Sequence, residues 1–227
     1  MIPTLLIDRD GRLVKTVKFG ARTYIGDPIN AVRIFNQKQV DELVLLDIDA
    51  SRDGREPAYG VIEDIVSEAF MPVAYGGGIT TADGIGRLLR SGIEKVVLST
   101  AAAEKPALVA EAAERYGNQA ISVCLQVKRS LLGGAGVKVR SGGTDCRISP
   151  VDAARQAVAR GAGEIIVYAI DRDGTFKGYD LPLLADVSGA VVASSIQLSG
   201  GMNFHYDEAL GLGNGILKFV ITSWHEL

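Results

Sequence analysis

The chain has 227 residues, 47% of them hydrophobic and 22% charged, with a formal net charge of −3. That length allows one large domain or two small ones, and the charge balance carries no polybasic signature for nucleic acid. No apolar run reaches the length of a membrane span, and the Met1-Ile2-Pro3-Thr4 start shows no signal-peptide pattern, so a cytoplasmic protein is expected. In chain order, strand-like apolar runs fall near residues 2–7, 42–48, 71–76, 95–99, 119–127, 164–170, 191–198 and 217–222. Amphipathic helical patterns fill the gaps near 28–37, 58–69, 81–92, 105–116, 150–160, 181–187 and 204–211. Most strand runs are rich in Val, Ile and Leu without strict alternation, as in parallel strands buried on both faces. Thr81 before Ala82-Asp83, and Ser149-Pro150 before Val151-Asp152, are sensible helix starts.

Eight strands alternating with helices predict an α/β fold, a closed (β/α)8 barrel forming one domain over 1–227. Two segments break the pattern. Residues 129–148 hold a Val-Lys-Val-Arg run between Gly133-Gly134 and Gly142-Gly143, which predicts a small hairpin over the barrel mouth. After the eighth strand only Ser223 to Leu227 remain, so the C-terminal helix is expected to be missing and Trp224 or a neighbour to cover the gap. Cys124 and Cys146 read as two reduced thiols rather than a disulfide or metal site. His205 and His225 stand apart from any Cys/His cluster, and no metal or cofactor is expected.

The chain also repeats itself. Glu42 to Asp49 returns as Glu164 to Asp171, 122 positions later. Gly77-Gly78 returns as Gly200-Gly201, and Lys95 to Thr100 as Lys218 to Ser223, each 123 positions later. Two half-barrels, about 1–118 and 119–227, are therefore expected. Function in such barrels sits at the C-terminal ends of the strands. There the neighbouring third and fourth strands offer Tyr75-Gly76-Gly77-Gly78 and Ser99-Thr100, and the seventh and eighth offer Ser199-Gly200-Gly201 and Thr222-Ser223. Glycine turns with exposed N–H groups and hydroxyls suit phosphate. Two such cradles predict a ligand with a phosphate at each end.

With these segments in place the chain resembles the cyclase subunit of imidazole glycerol phosphate synthase. The matching stretches include Asp10 to Lys15, Gly26-Asp27-Pro28, Asp41 to Asp47, Gly76 to Ile79, Ser99 to Ala102, Lys128-Arg129, Gly161 to Glu164, and above all Ile170 to Thr175 with Gly178-Tyr179-Asp180. The resemblance implies a reaction of ammonia with a bis-phosphorylated formimino-aminoimidazole carboxamide ribonucleotide. It also implies a glutaminase subunit docked at the barrel bottom as a heterodimer. It places phosphate contacts on Gly78, Ser99 and Thr100 at one end, and on Asp173, Gly174, Gly201 and Ser223 at the other. Glu42, Lys95 and Glu164 match charged members of the family's ammonia gate, and Lys15 matches a loop lysine that reaches over substrate.

The family's two acid/base aspartates fall here on Leu6 and Gln126. Positioned acid/base groups are typically worth roughly 10²–10⁴ in rate, so their loss is expected to cripple the family reaction. Asp8 shares strand parity with Leu6 and is a candidate for a relocated acid/base, with Asp47 and Asp171 as alternative replacement acids. Asp47 and Asp171, at equivalent strand ends, are expected to order the mouth. Thr23 to Val32, with Leu46 to Ser51, resembles the second copy of this cyclase found among surface-polysaccharide genes, where ammonia serves a sugar amidation. The alternative is a catalytically silent barrel that binds phosphate and a partner as scaffold or ammonia conduit.

Overall fold

Branched apolar residues dominate the strands, and the hydrogen bonds they form close on themselves. The computed structural model describes residues 2–130 and 134–191 in full, and 195–200 and 216–221 as backbone. The ring runs β1 (Ile2–Ile7), β4 (Leu43–Asp47), β5 (Val73–Gly76), β6 (Lys95–Leu98), β7 (Ile121–Arg129), β10 (Glu164–Ala169), β11 (Ser195–Gly200) and β12 (Ile216–Ile221). Each neighbouring pair is parallel, and β12 returns to β1 through Ile2↔Val220 and Pro3↔Ile221. Two excursions leave the ring on its C-terminal side. One is the antiparallel pair β2 (Leu13–Thr16) and β3 (Arg22–Gly26); the other is β8 (Ala135–Val139) and β9 (Thr144–Asp145), where β8 also pairs with the end of β7.

Helices pack outside the ring: α1 (Pro28–Gln37), α3 (Tyr59–Ser67), α4 (Ala82–Arg90), α6 (Ala107–Tyr116), α7 (Pro150–Ala159) and α8 (Leu181–Ser188), with short α2 (Ala50–Asp53) and α5 (Thr100–Glu104) at strand ends. Their starts are chemically specified. Asp27 accepts from Ile29 N, Thr81 from Gly84 N and Ser149 from Asp152 N, and proline opens α1 and α7. None of the described helices is long and apolar enough to cross a membrane.

Strand alternation sorts side chains into two cores. Leu5, Ile7, Leu43, Leu45, Val96, Leu98, Ile165 and Val167 face the helices. Ile2, Val44, Ala74, Val97, Cys124, Ile166 and Tyr168 fill the ring. Burial pushes the Cys124 thiol up to about 12, so it stays protonated and acts as an apolar filler.

The strand order and helix starts agree with expectation, but three features differ. The β2–β3 pair was not foreseen, because β3 is solvent-exposed along its length and carries no burial alternation. Helices α2 and α5 precede the patterns near 58–69 and 105–116 as separate short pieces. The strand expected near 191–198 is β11, Ser195–Gly200. The helix near 204–211, His205, Trp224, His225 and the question of a last helix lie outside the described residues.

Gly174 has φ +63°, and a Cβ there would run into the Thr16 carbonyl oxygen. Gly60, inside α3, has open space around it. Gly174→Ala should therefore lose about 1–3 kcal/mol of stability, whereas Gly60→Ala should gain about 0.5–1 kcal/mol, both read from urea unfolding.

Candidate functional site

At the N-terminal end of the ring, Glu42 just before β4 and the first residues of β6 and β10 bring three charges together. Lys95 Nζ lies 3.0 and 2.8 Å from the two Glu42 oxygens and 3.0 Å from Glu164 Oε2. Ser122 Oγ donates to Glu164 Oε1 at 2.9 Å. Both carboxylates are buried. Burial alone would lower the Lys95 pKa, but Glu164 and Glu42 outweigh it and the ammonium form is favoured. The expected Glu42–Lys95–Glu164 set is thus one closed cluster.

At the opposite end lies a cavity of about 300 Å³. Leu6 and Gln126 both line it, so the two positions where the resemblance leads one to expect aspartates face this space with a methyl-tipped chain and an amide. Gly76-Gly77-Gly78, Ser99 and Thr100 form one wall. Gly77 (φ +126°) and Gly78 (φ +69°) fold tightly against the Asp47 and Arg55 carbonyls, where a Cβ would clash. The Gly78 N–H donates to Ser51 Oγ at 3.2 Å, so this amide reaches the cavity only through the Ser51 hydroxyl.

The nearby carboxylates are held in structure. Asp8 does not line the cavity. It accepts from the N–H groups of Asp10 and Arg12 at 2.9 and 3.0 Å and pairs with the Arg12 guanidinium at 3.0 Å. Burial alone would raise its pKa, but these donors outweigh it and hold Asp8 below the usual carboxylate range. The strand β1 ends at Ile7, and Asp8 instead closes the turn into β2, which is why strand parity did not carry it inward. Asp47 accepts from Asp49 N, Ala50 N and Arg55, and Asp171 accepts from Arg129 N at 2.7 Å. Asp47 also lines the cavity.

Asp173 and Gly174 also serve the frame. Asp173 is buried and accepts from Thr16 Oγ1 at 2.7 Å, Phe19 N at 3.2 Å and Tyr168 OH at 3.0 Å. Burial raises its pKa against the pull of those three donors. Together with the Gly174 contact, this pins the β2–β3 excursion onto the end of β10. Lys15 sits within β2, paired with Thr23, and does not line the cavity. Gly201, Thr222 and Ser223 of the second expected cradle lie outside the described residues.

Sequence reasoning missed a buried ionic knot. Asp49 is fully buried and accepts from Arg22 at 2.6 and 2.7 Å, from Arg52 at 2.6 Å and from Arg9 N at 3.1 Å. The Asp49/Arg52 spacing on one turn was visible; the partner Arg22, from β3, was not. The hydrogen-bonded Arg22 holds the Asp49 carboxyl below its ordinary range, against the opposing effect of burial. A depressed carboxyl contributes stability that is present above its unfolded pKa and lost as pH falls through the folded value. Stability should hold from pH 7 to 5 and drop below about pH 4. Asp49→Asn should remove about 3 kcal/mol at pH 7 and flatten that acid loss, as measured by urea unfolding across pH.

Comparison with known proteins fits this geometry. The profile of the family described as histidine biosynthesis protein matches residues 1–222. The chain is 46% identical to a Leptospira interrogans protein provisionally named imidazole glycerol phosphate synthase subunit HisF, over 81% of this chain and 72% of that protein. It is 47% identical to a Vibrio vulnificus protein provisionally named imidazole glycerol phosphate synthase subunit hisF3, over 88% and 77%. It is 37% identical to the imidazole glycerol phosphate synthase subunit HisF of Streptomyces avermitilis, over 94% and 85%. The chain belongs to the histidine biosynthesis protein family, among the HisF-like cyclase subunits of imidazole glycerol phosphate synthase.

Proposed function

We propose that this barrel, one domain built of two half-units, receives ammonia from a glutaminase partner at its N-terminal face and uses it on a phosphorylated ligand held at the mouth. One observation carries the reading: a single barrel interior has the closed Lys95–Glu42–Glu164 cluster at one end and the cavity of Gly76 to Gly78, Ser99 and Thr100 at the other. Between them the ring is lined by Val44, Ala74, Val97, Cys124 and Ile166. That lining admits neutral ammonia and opposes the ammonium ion, whose burial is costly without a partner. Thr4, inward by parity with Ile2 and Leu6, has a buried hydroxyl without a hydrogen-bond partner among the described residues. It is a natural stopping point for a small polar molecule.

The expected ligand is a bis-phosphorylated ribonucleotide of the histidine-biosynthesis type, or the substrate of a related amidation in surface-polysaccharide synthesis, in the cytoplasm. Ring closure and cleavage in the first case need protons moved at defined atoms. Leucine moves none, and the Gln126 amide does not titrate near neutrality. The second reading, a silent barrel that binds ligand and partner, is favoured by this same pair and by the engagement of Asp8 with Arg12.

Turnover of the formimino ribonucleotide with ammonium salt and no partner separates the two. It should be roughly 10²–10⁴ below that of an aspartate-bearing relative, while calorimetry still detects the bis-phosphate ligand. Asp8→Asn should leave both quantities unchanged. Turnover abolished by that substitution would restore Asp8 as the acid/base, and absence of ligand binding would overturn the reading as a whole.

A further inference from the structure

Three hydroxyls on the cavity wall each accept a hydrogen bond from a protein N–H. Ser51 Oγ accepts from Gly78 N at 3.2 Å, Thr100 Oγ1 from Arg140 N at 3.1 Å, and Ser99 Oγ from Gln126 Nε2 at 3.1 Å. A hydroxyl has one proton to give and lone pairs to receive. With a lone pair filled by an N–H, its own proton is left to point at whatever occupies the cavity, and the chain of bonds polarises it.

Gln126 has its amide oriented beyond ambiguity. Its Oε1 lies 2.9 Å from Gly142 N, and a backbone N–H can only donate, so the NH2 group must face Ser99. Gly142 belongs to the turn between β8 and β9. Arg140, Ser141 and Gly142 there all have positive φ (53°, 55° and 80°). Glycine takes that conformation freely, but the strain at Arg140 and Ser141 persists only where surrounding contacts overdetermine it. Here Arg140 grips Glu104 at 2.8 Å through two nitrogens, and Ser141 Oγ donates to Ile48 O at 2.6 Å. Gln126 therefore stands between this closed turn and the predicted phosphate wall and bonds to both.

A carboxylate at position 126 has acceptors only. It would draw the Ser99 proton to itself and withdraw it from any anion in the cavity. The amide does the reverse. We propose that Gln126 is a positioning residue for anion binding: its N–H turns the Ser99 hydroxyl into a donor to a ligand phosphate, while its carbonyl seats the Arg140–Gly143 turn beside the same phosphate. The proposal rests on the reading of Ser99 and Thr100 as a phosphate cradle. It gives the lost acid a replacement function: the position exchanges proton transfer for recognition of a phosphate group.

The test is a double-mutant cycle on the full chain, with inorganic phosphate as the probe and calorimetric affinity as the readout. Gln126→Met should weaken phosphate binding about tenfold, as expected for loss of a hydrogen bond to a charged group. The same change should cause a clearly smaller loss when Ser99→Ala is already present, the remainder reporting the Gly142 contact. A residue that only latched the turn would weaken binding equally in both backgrounds, and that outcome overturns the proposal. So does wild-type affinity in Gln126→Met. Thermal unfolding checks each variant, and Gln126→Leu, matched to its cavity neighbours Leu6 and Leu46, takes its place if the methionine variant does not fold. If wild type binds no phosphate, or if Ser99→Ala and Thr100→Ala leave its affinity unchanged, the cradle reading itself fails and the proposal with it. If Ser99→Ala weakens binding and Gln126→Met does not, the proposal alone fails.

Discussion

Closing eight parallel strands into a ring forces their inward side chains to share one narrow interior. Each strand sends alternate residues there, so a few layers of side chains decide everything that happens along the axis. In this chain the layers are chemically distinct. The N-terminal layer holds Glu42, Lys95, Ser122 and Glu164, bonded to one another. The middle is apolar, and the C-terminal layer opens into the cavity with Leu6, Leu46, Ser99, Gln126 and Tyr168 on its walls. Buried carboxylates in the first layer are tolerated because Lys95 bridges them; without it two negative charges would face each other in a space that water cannot screen.

The mouth is governed by a different economy of charge. Asp8, Asp47, Asp49, Asp173 and Asp180 lie close to it, and each is engaged by arginines, backbone N–H groups or hydroxyls. Asp180, for example, accepts from two Arg129 nitrogens at 2.7 Å and also caps α8. These carboxylates hold the excursions after β1, β4, β7 and β10 in register around the cavity. Proton transfer needs an acid or base with an unengaged lone pair aimed at the ligand. The side chains at positions 6 and 126, which line the cavity beside the engaged Asp47, cannot act in that way.

Much of this was readable beforehand, for identifiable reasons. Strands buried on both faces and helix starts such as Ser149-Pro150 are local properties, and they appeared where composition placed them. The Lys95 cluster was legible because its members open strands whose alternation sets their direction. What stayed hidden depended on contacts between distant segments. Arg22 meets Asp49 from 27 residues away, and Thr16 meets Asp173 from 157 away. Asp173 and Gly174 were expected at a phosphate, yet their neighbours are the β2–β3 excursion, which carries too little buried alternation to be recognised in the chain. Asp8 had the right parity and the wrong location, because the strand ends one residue earlier.

The most direct test of this account is to put the carboxylates back. In the variant Leu6→Asp with Gln126→Asp, turnover of the formimino ribonucleotide with ammonium salt should rise at least about tenfold over wild type, within the range that positioned acid/base groups supply. Wild-type turnover already equal to that of the double variant would contradict the account, because the cavity would then be moving protons without either residue.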